Sequence, residues 1–292
     1  MANRIDSLFR TAVTAIDTVD IPALKSVLAG VPALVGQRLH SPGPWLRDQV
    51  GDALEGFFRA PYLLWFVAED PVRNGTLPPN IAEVASTIIE AARREGVAGL
   101  QEQLDYALRL VSWSWIARDC GVQIALIDVL VDAGASTDET PDNALVNGNV
   151  AAAEHLLERG AKPTLAASLG LHRWDDARSI ARQSSPRDKQ AAFILSALNG
   201  NATGIQIMLD AGAEISRPSA DLYAHATALH HAVWSGSLGA VTTLVEAGAD
   251  VHARDTAENA TPLGWAEYAG SGSPPERAAL FAEIAAYLRA HV

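Results

Sequence analysis

The side chains of this chain best suited to chemistry are few and scattered. His225, His230 and His231 form the densest group of histidines, the residue type that ligates metals and moves protons near neutral pH. No carboxylate or thiol stands beside them at metal-ligand spacing on a helix face, so structural histidines are expected and no metal is implied. Cys120 is the single cysteine, which excludes an intramolecular disulfide and a thiolate zinc site. Its place beside Gly121, at a turn, suits a structural thiol better than a nucleophile. Neither the Gly-x-x-x-x-Gly-Lys-Ser/Thr loop that cradles phosphates nor a Gly-x-Ser-x-Gly elbow occurs. Asp175-Asp176 suits the first turn of a helix, facing its dipole. With no catalytic constellation, the chain is expected not to be an enzyme and to need no cofactor.

Composition narrows the partners. The formal net charge is −12, which repels the phosphates of nucleic acid. The densest basic stretch, Arg178, Arg182, Arg187 and Lys189, is interleaved with Asp175, Asp176 and Asp188 and suits a solvated helix face and loop. No run approaches the ~18 apolar residues of a membrane span. Arg4, Asp6, Arg10, Asp17 and Asp20 interrupt the start of the chain, leaving no apolar stretch of the kind found in a secretion signal. A soluble, cytoplasmic protein is expected, with no nucleic-acid or membrane partner.

The elements that must position any site emerge from comparing the chain with itself. Gly148 is followed by Gly160-Ala161, Gly200 by Gly212-Ala213 and Gly236 by Gly248-Ala249, each pair of glycines twelve positions apart. Gly121 with Gly134-Ala135 fits with one extra residue. Between the glycines, Ala240, Val241, Leu244 and Val245 recur at the spacing of one helical face, as do Ile205, Met208 and Leu209, and Ala153, Leu156 and Leu157. A second short helix precedes the first glycine, clearest in Thr227-Ala-Leu-His-His-Ala232 and Thr261-Pro-Leu-Gly-Trp-Ala266, whose threonines are 34 positions apart. Thr can cap such a helix, Pro at the next position has no amide hydrogen to lose, and Leu points into the stack.

These motifs resemble the ankyrin repeat, with its Thr-Pro-Leu-His-x-Ala helix, glycine turn, second helix and closing Gly-Ala-Asp. Residues 223–251, ending in Gly248-Ala249-Asp250-Val251, match it best. The resemblance implies that His230 links neighbouring loops by hydrogen bonds. Gly264 stands at the equivalent place one unit later, where the link is missing. Residues 104–137, 140–163, 165–184 and 190–216 read as four more degenerate helix pairs without room for hairpin fingers in the middle. Residues 1–100 look like a variant arrangement seen in bacterial proteins. One helix pair spans 8–39, an inserted helix starts in Ser41-Pro-Gly-Pro-Trp45 and runs to about 59, and Pro61 to Ala68 is a further first helix in which Trp65 replaces the family histidine. Asn80 with Glu83, and Ser273 with Glu276, are expected capping boxes.

The expected fold is all-α: a single ankyrin-type solenoid over 1–292 of about eight helix pairs, with degenerate repeats over 101–222 and the clearest repeats and a polar C-terminal cap over 223–292. Trp65, Trp113, Trp115 and Trp265 fall inside apolar helices and are expected in the core. Trp234 is placed by the resemblance at the end of a first helix, on the concave face beside Ser235, with Tyr268 in that place one repeat later and Leu198 and Asn199 one repeat earlier. Such a row is how ankyrin-like stacks bind another protein, so Trp234, Ser235, Tyr268, Leu198 and Asn199 are the candidate partner-binding residues. Two alternatives stand beside this: an immunity or antitoxin-like inhibitor of a basic toxin, and an enzyme or small-ligand binder using a pocket in the N-terminal half.

Overall fold

The computed structural model describes residues 2–138, 140–220 and 222–291. Among them are seventeen α-helices, a few short 3-10 turns and no strand, the one β-type contact being an isolated bridge between Arg38 and Tyr62. The chain divides into two compact units, 1–162 and 163–292.

In the first unit, α1 (Ala2–Asp17) pairs with α2 (Ile21–Gly30). The expected inserted helix is shorter than predicted: α3 (Pro44–Val50) gives way at once to a 3-10 turn, Gly51–Leu54. Gly51 at a φ of 49° breaks it. Asp6 anchors the insertion to α1, its carboxylate accepting the Gly43 N–H and the Trp45 indole N–H, both at 2.7 Å. A fully buried 3-10 helix, Leu63–Ala68, then pairs with α4 (Ile81–Arg94). Next come α5 (Leu100–Trp113), α6 (Trp115–Asp119), α7 (Gln123–Asp132), α8 (Thr140–Val146) and α9 (Val150–Glu158), with α5 packed on α7 and α8 on α9. First helices touch first helices along the stack and second helices touch second helices.

The second unit repeats the plan. Helices α10 (Leu165–Gly170) and α11 (Trp174–Gln183), α12 (Pro186–Leu198) and α13 (Ala202–Asp210), α14 (Ala228–Ser235) and α15 (Leu238–Glu246), and α16 (Pro262–Ser271) and α17 (Pro275–Arg289) form four pairs, each packed on the next through like helices. The two units together thus hold the eight pairs expected. Phe193, Ile194, Ile205, Met208, Leu229, Val233, Val241, Leu244, Phe281, Ile284 and Leu288 form one buried core across these pairs. Each such side chain contributes roughly 1.5–3 kcal/mol by leaving water. Residues 165–184 form a pair although they lack a closing Gly-Ala, and in the turn between its two helices His172, at a φ of 57°, takes the left-handed position that Gly148, Gly200 and Gly236 hold in other pairs.

Polar links complement the core at repeat spacing. Asn149, Asn201 and Ser237 each directly follow a turn glycine and each donates to a carbonyl of the previous pair, Ser112 at 2.7 Å, Leu169 at 3.1 Å and Gly200 at 3.0 Å. His230 makes the loop link implied by the resemblance: Nε2 lies 3.1 Å from the Ala260 carbonyl and Nδ1 2.9 Å from the Thr227 hydroxyl. A carbonyl only accepts, so Nε2 carries the proton and Nδ1 accepts from Thr227. The Thr227 hydroxyl therefore serves the histidine and not the helix N-terminus, whereas Thr261 does cap, accepting the Gly264 N–H at 3.2 Å. Trp65 supplies a similar link, its indole donating to the Gln103 carbonyl at 3.2 Å.

Both expected capping boxes differ from the structure. Asn80 makes no side-chain cap on α4, where the Glu83 N–H goes to the Asn80 backbone carbonyl at 3.0 Å instead. Pro274, with no side-chain acceptor, occupies the cap position of α17, and prolines at both 274 and 275 leave fewer N–H groups to satisfy.

Candidate functional site

Within the second unit, three of the first helices and the loops before two of them enclose an open pocket of about 740 Å³, lined largely by aromatic rings. Helix α12 contributes Leu198, α14 contributes His231 and Trp234, and α16 contributes Gly264, Trp265 and Tyr268. Tyr223 and His225 enter from the loop before α14, and Asp255, Ala257, Glu258 and Ala260 from the loop before α16. Trp265 is the hub: its ring lies 5.9 Å from Trp234 and 6.1 Å from both His225 and His231, centroid to centroid. The edge-on packing against Trp234, at 78°, is the arrangement favoured by ring quadrupoles.

Asp255 holds the loop together. One carboxylate oxygen accepts the Ala257 and Glu258 N–H groups at 2.9 and 2.7 Å, and the other accepts the Ala260 N–H at 3.1 Å and the Trp265 indole N–H at 2.9 Å. Burial alone would raise its pKa, but the four donated bonds outweigh that and hold it down to about 2. Asp255 is thus ionised at neutral pH, and its four acceptor positions are full. His231 is 2% exposed, and its Nε2 has no hydrogen-bond partner. Burial, reinforced by the nearby His225, pushes its pKa down to about 4, so it is neutral at pH 7. Burial also lowers the pKa of His230.

Of the residues singled out by sequence, Leu198, Trp234 and Tyr268 meet at this pocket, with Trp234 47% and Tyr268 74% exposed. Ser235 and Asn199 do not line it. The Ser235 hydroxyl donates to the Ala232 carbonyl and accepts the Ser237 N–H, finishing α14, and Asn199 is exposed at the end of α12. Three tryptophans depart from the expected core. Trp115 is 51% exposed, Trp113 is half-buried against Phe57, and Trp265 is half-buried in the pocket. Trp113 ends α5 and Trp115 opens α6, on either side of Ser114, whereas Trp265 lies inside α16 and lines the pocket. Trp65 is buried as expected. Asp255, Tyr223 and Trp265 were not singled out as site residues. The visible signal for Asp255 is its type: an Asp followed by Thr-Ala-Glu-Asn can fold its own backbone N–H groups around its carboxylate.

In the N-terminal half, the groove of about 550 Å³ beside Lys25, Thr87, Glu90 and Arg94 has a mixed-charge lining without an aromatic ring.

The family described as ankyrin repeats (3 copies) matches residues 144–255. Residues 144–255 are therefore similar to ankyrin repeats. The matched stretch includes the pair carrying Trp234 and ends at Asp255. Among solved structures, the ankyrin repeat domain of human ASB11 is 15% identical, over 70% of this chain and 94% of that domain, with a TM-score of 0.40. No curated protein matches the chain in sequence. Among the described residues no helix is long and apolar enough to cross a membrane.

Proposed function

We propose that this chain binds a partner protein through the second unit, on the surface where the ends of α12, α14 and α16 present Leu198, Trp234 and Tyr268. Ankyrin repeats are in general protein–protein interaction modules, and the binding surface of such a stack lies where its repeats carry side chains that the core does not need. The observation that carries this reading is the exposure of two large aromatic residues at the same place in successive repeats. Exposed aromatic anchors beside a pocket are the side chains that dominate interface energies. The acidity of the chain favours a basic partner surface and speeds encounter more than it sets affinity.

The test is an affinity capture from the native lysate with the wild-type chain and a Trp234→Ala, Tyr268→Ala double variant of unchanged helicity. Both side chains are exposed, so folding should survive. One protein retained by the wild type and lost with the variant is expected. Capture that is indifferent to the double variant would remove this surface from consideration.

A further inference from the structure

The lining of the aromatic pocket says what it selects. Among the described residues its lining contains no lysine or arginine, and its formal charges are the buried Asp255 and the exposed Glu258. The Asp255 carboxylate, saturated by four N–H donors, offers charge but no acceptor position. Glu258 makes no side-chain ion pair among the described residues, so its carboxylate is the acceptor at the pocket edge. Around these charges stand the rings of Trp234, Trp265, Tyr223 and Tyr268, whose π quadrupoles attract cations. His231 adds no positive charge at neutral pH.

From this arrangement we infer that the pocket receives an arginine side chain of the partner, its guanidinium set against the Trp234 and Trp265 rings and donating to Glu258. This inference rests on the protein-binding reading above. Arginine fits better than lysine for three reasons. Its planar head stacks on aromatic faces, it is more weakly hydrated than an ammonium, and its fork can meet one carboxylate with two donors. The pocket volume, about 740 Å³, leaves room for the stem and the adjoining peptide as well as the head. An apolar side chain would leave the ionised Asp255 covered without a counter-charge, and a nucleic-acid base would bring phosphates towards two carboxylates.

The test uses the full chain and three probes: N-acetyl-arginine methylamide, its lysine analogue, and its citrulline analogue, the neutral isostere of arginine. Binding is followed through the indole N–H resonances of Trp234 and Trp265, assigned with Trp234→Phe and Trp265→Phe variants. A saturable shift of these two resonances with the arginine probe is expected, with citrulline binding about tenfold more weakly through loss of the cation–π and ion-pair contributions. Glu258→Gln, at an exposed position that should not disturb folding, is expected to weaken arginine binding about two- to fivefold. Citrulline binding as well as arginine, or lysine binding equally, overturns the assignment. If the arginine probe leaves both indoles unmoved while the double variant still abolishes partner capture, this inference fails alone. Capture indifferent to the double variant overturns the protein-binding reading beneath it, whatever the probe does.

Discussion

Asp255 shows how one side chain can hold a pocket together while keeping no acceptor position free. Its carboxylate gathers three backbone N–H groups of its own loop and the indole of Trp265, so both the loop and the pocket's central ring depend on it. Removing it in Asp255→Ala leaves four donors short of an acceptor, and hydrogen bonds to a charged group are worth more than neutral ones. The variant is expected to lose about 2–4 kcal/mol in urea unfolding at pH 7. Asp255→Asn should lose less, since one amide oxygen can still serve the Ala257 and Glu258 N–H groups while the amide nitrogen faces two donors. A loss below about 0.5 kcal/mol in the alanine variant would show that water replaces the carboxylate and that the loop holds itself. Trp234 and Tyr268 were legible from the sequence because the repeat aligns them. Asp255 was harder to read because its partners are mostly backbone groups, which no pattern of residue types announces.

Turn glycines look alike in the sequence, yet the elements they join give them different burdens. Gly200 stands between α12 and α13 at a φ of 63°, and a Cβ there would lie 2.6 Å from Ser237 Cβ and 2.9 Å from Ser235 Oγ in the next pair. Gly212, after α13, has a φ of 94° and open space around the same atom. Gly212→Ala is therefore expected to cost about 1–2 kcal/mol, the backbone penalty alone, and Gly200→Ala about 2–4 kcal/mol, because overpacking adds to it. Matched thermal or urea unfolding of the two variants checks this, and equal losses would contradict the proposed close approach of neighbouring turns. The helix pairs themselves were readable because glycine punctuation and apolar faces repeat along the chain. A polar residue follows the turn glycine at Asn149, Asn201 and Ser237, though not at Val122, and its role appears only when two pairs are stacked. The capping boxes misled for the opposite reason: their local spacing is right, but at α4 a backbone carbonyl and at α17 a second proline take over the position.

At the scale of the whole molecule, the two units carry buried titratable groups of opposite sign in their effect on stability. In the second unit, burial lowers the pKa of His231 to about 4, and that of His230 as well. Between pH 6.5 and 4 the unfolded chain takes up a proton that the native His231 refuses, so this unit should lose stability as pH falls through that window, by up to about 3 kcal/mol. In the first unit, burial raises the pKa of Asp70 to about 6. There the native state binds the proton more tightly than the unfolded chain, so stability is gained as pH falls through 6 towards 3.8, by about 1–2 kcal/mol once partial solvent screening is allowed for. Native-state hydrogen exchange resolved by region, expressed as protection factors at pH 7.5 and pH 5, should therefore move in opposite directions: protection falls over 163–292 and rises over 1–162. His231→Phe should flatten most of the change in the second unit, because a phenyl ring takes no proton and has no unpartnered nitrogen to bury. Asp70→Asn should raise protection in the first unit more at pH 7.5 than at pH 5. If both units shift in the same direction, or the two variants leave the pH dependence as it was, these buried groups do not govern the acid response. Native His231 stays neutral down to about pH 4, so it adds no positive charge to the aromatic pocket across most of the window in which its unit loses stability.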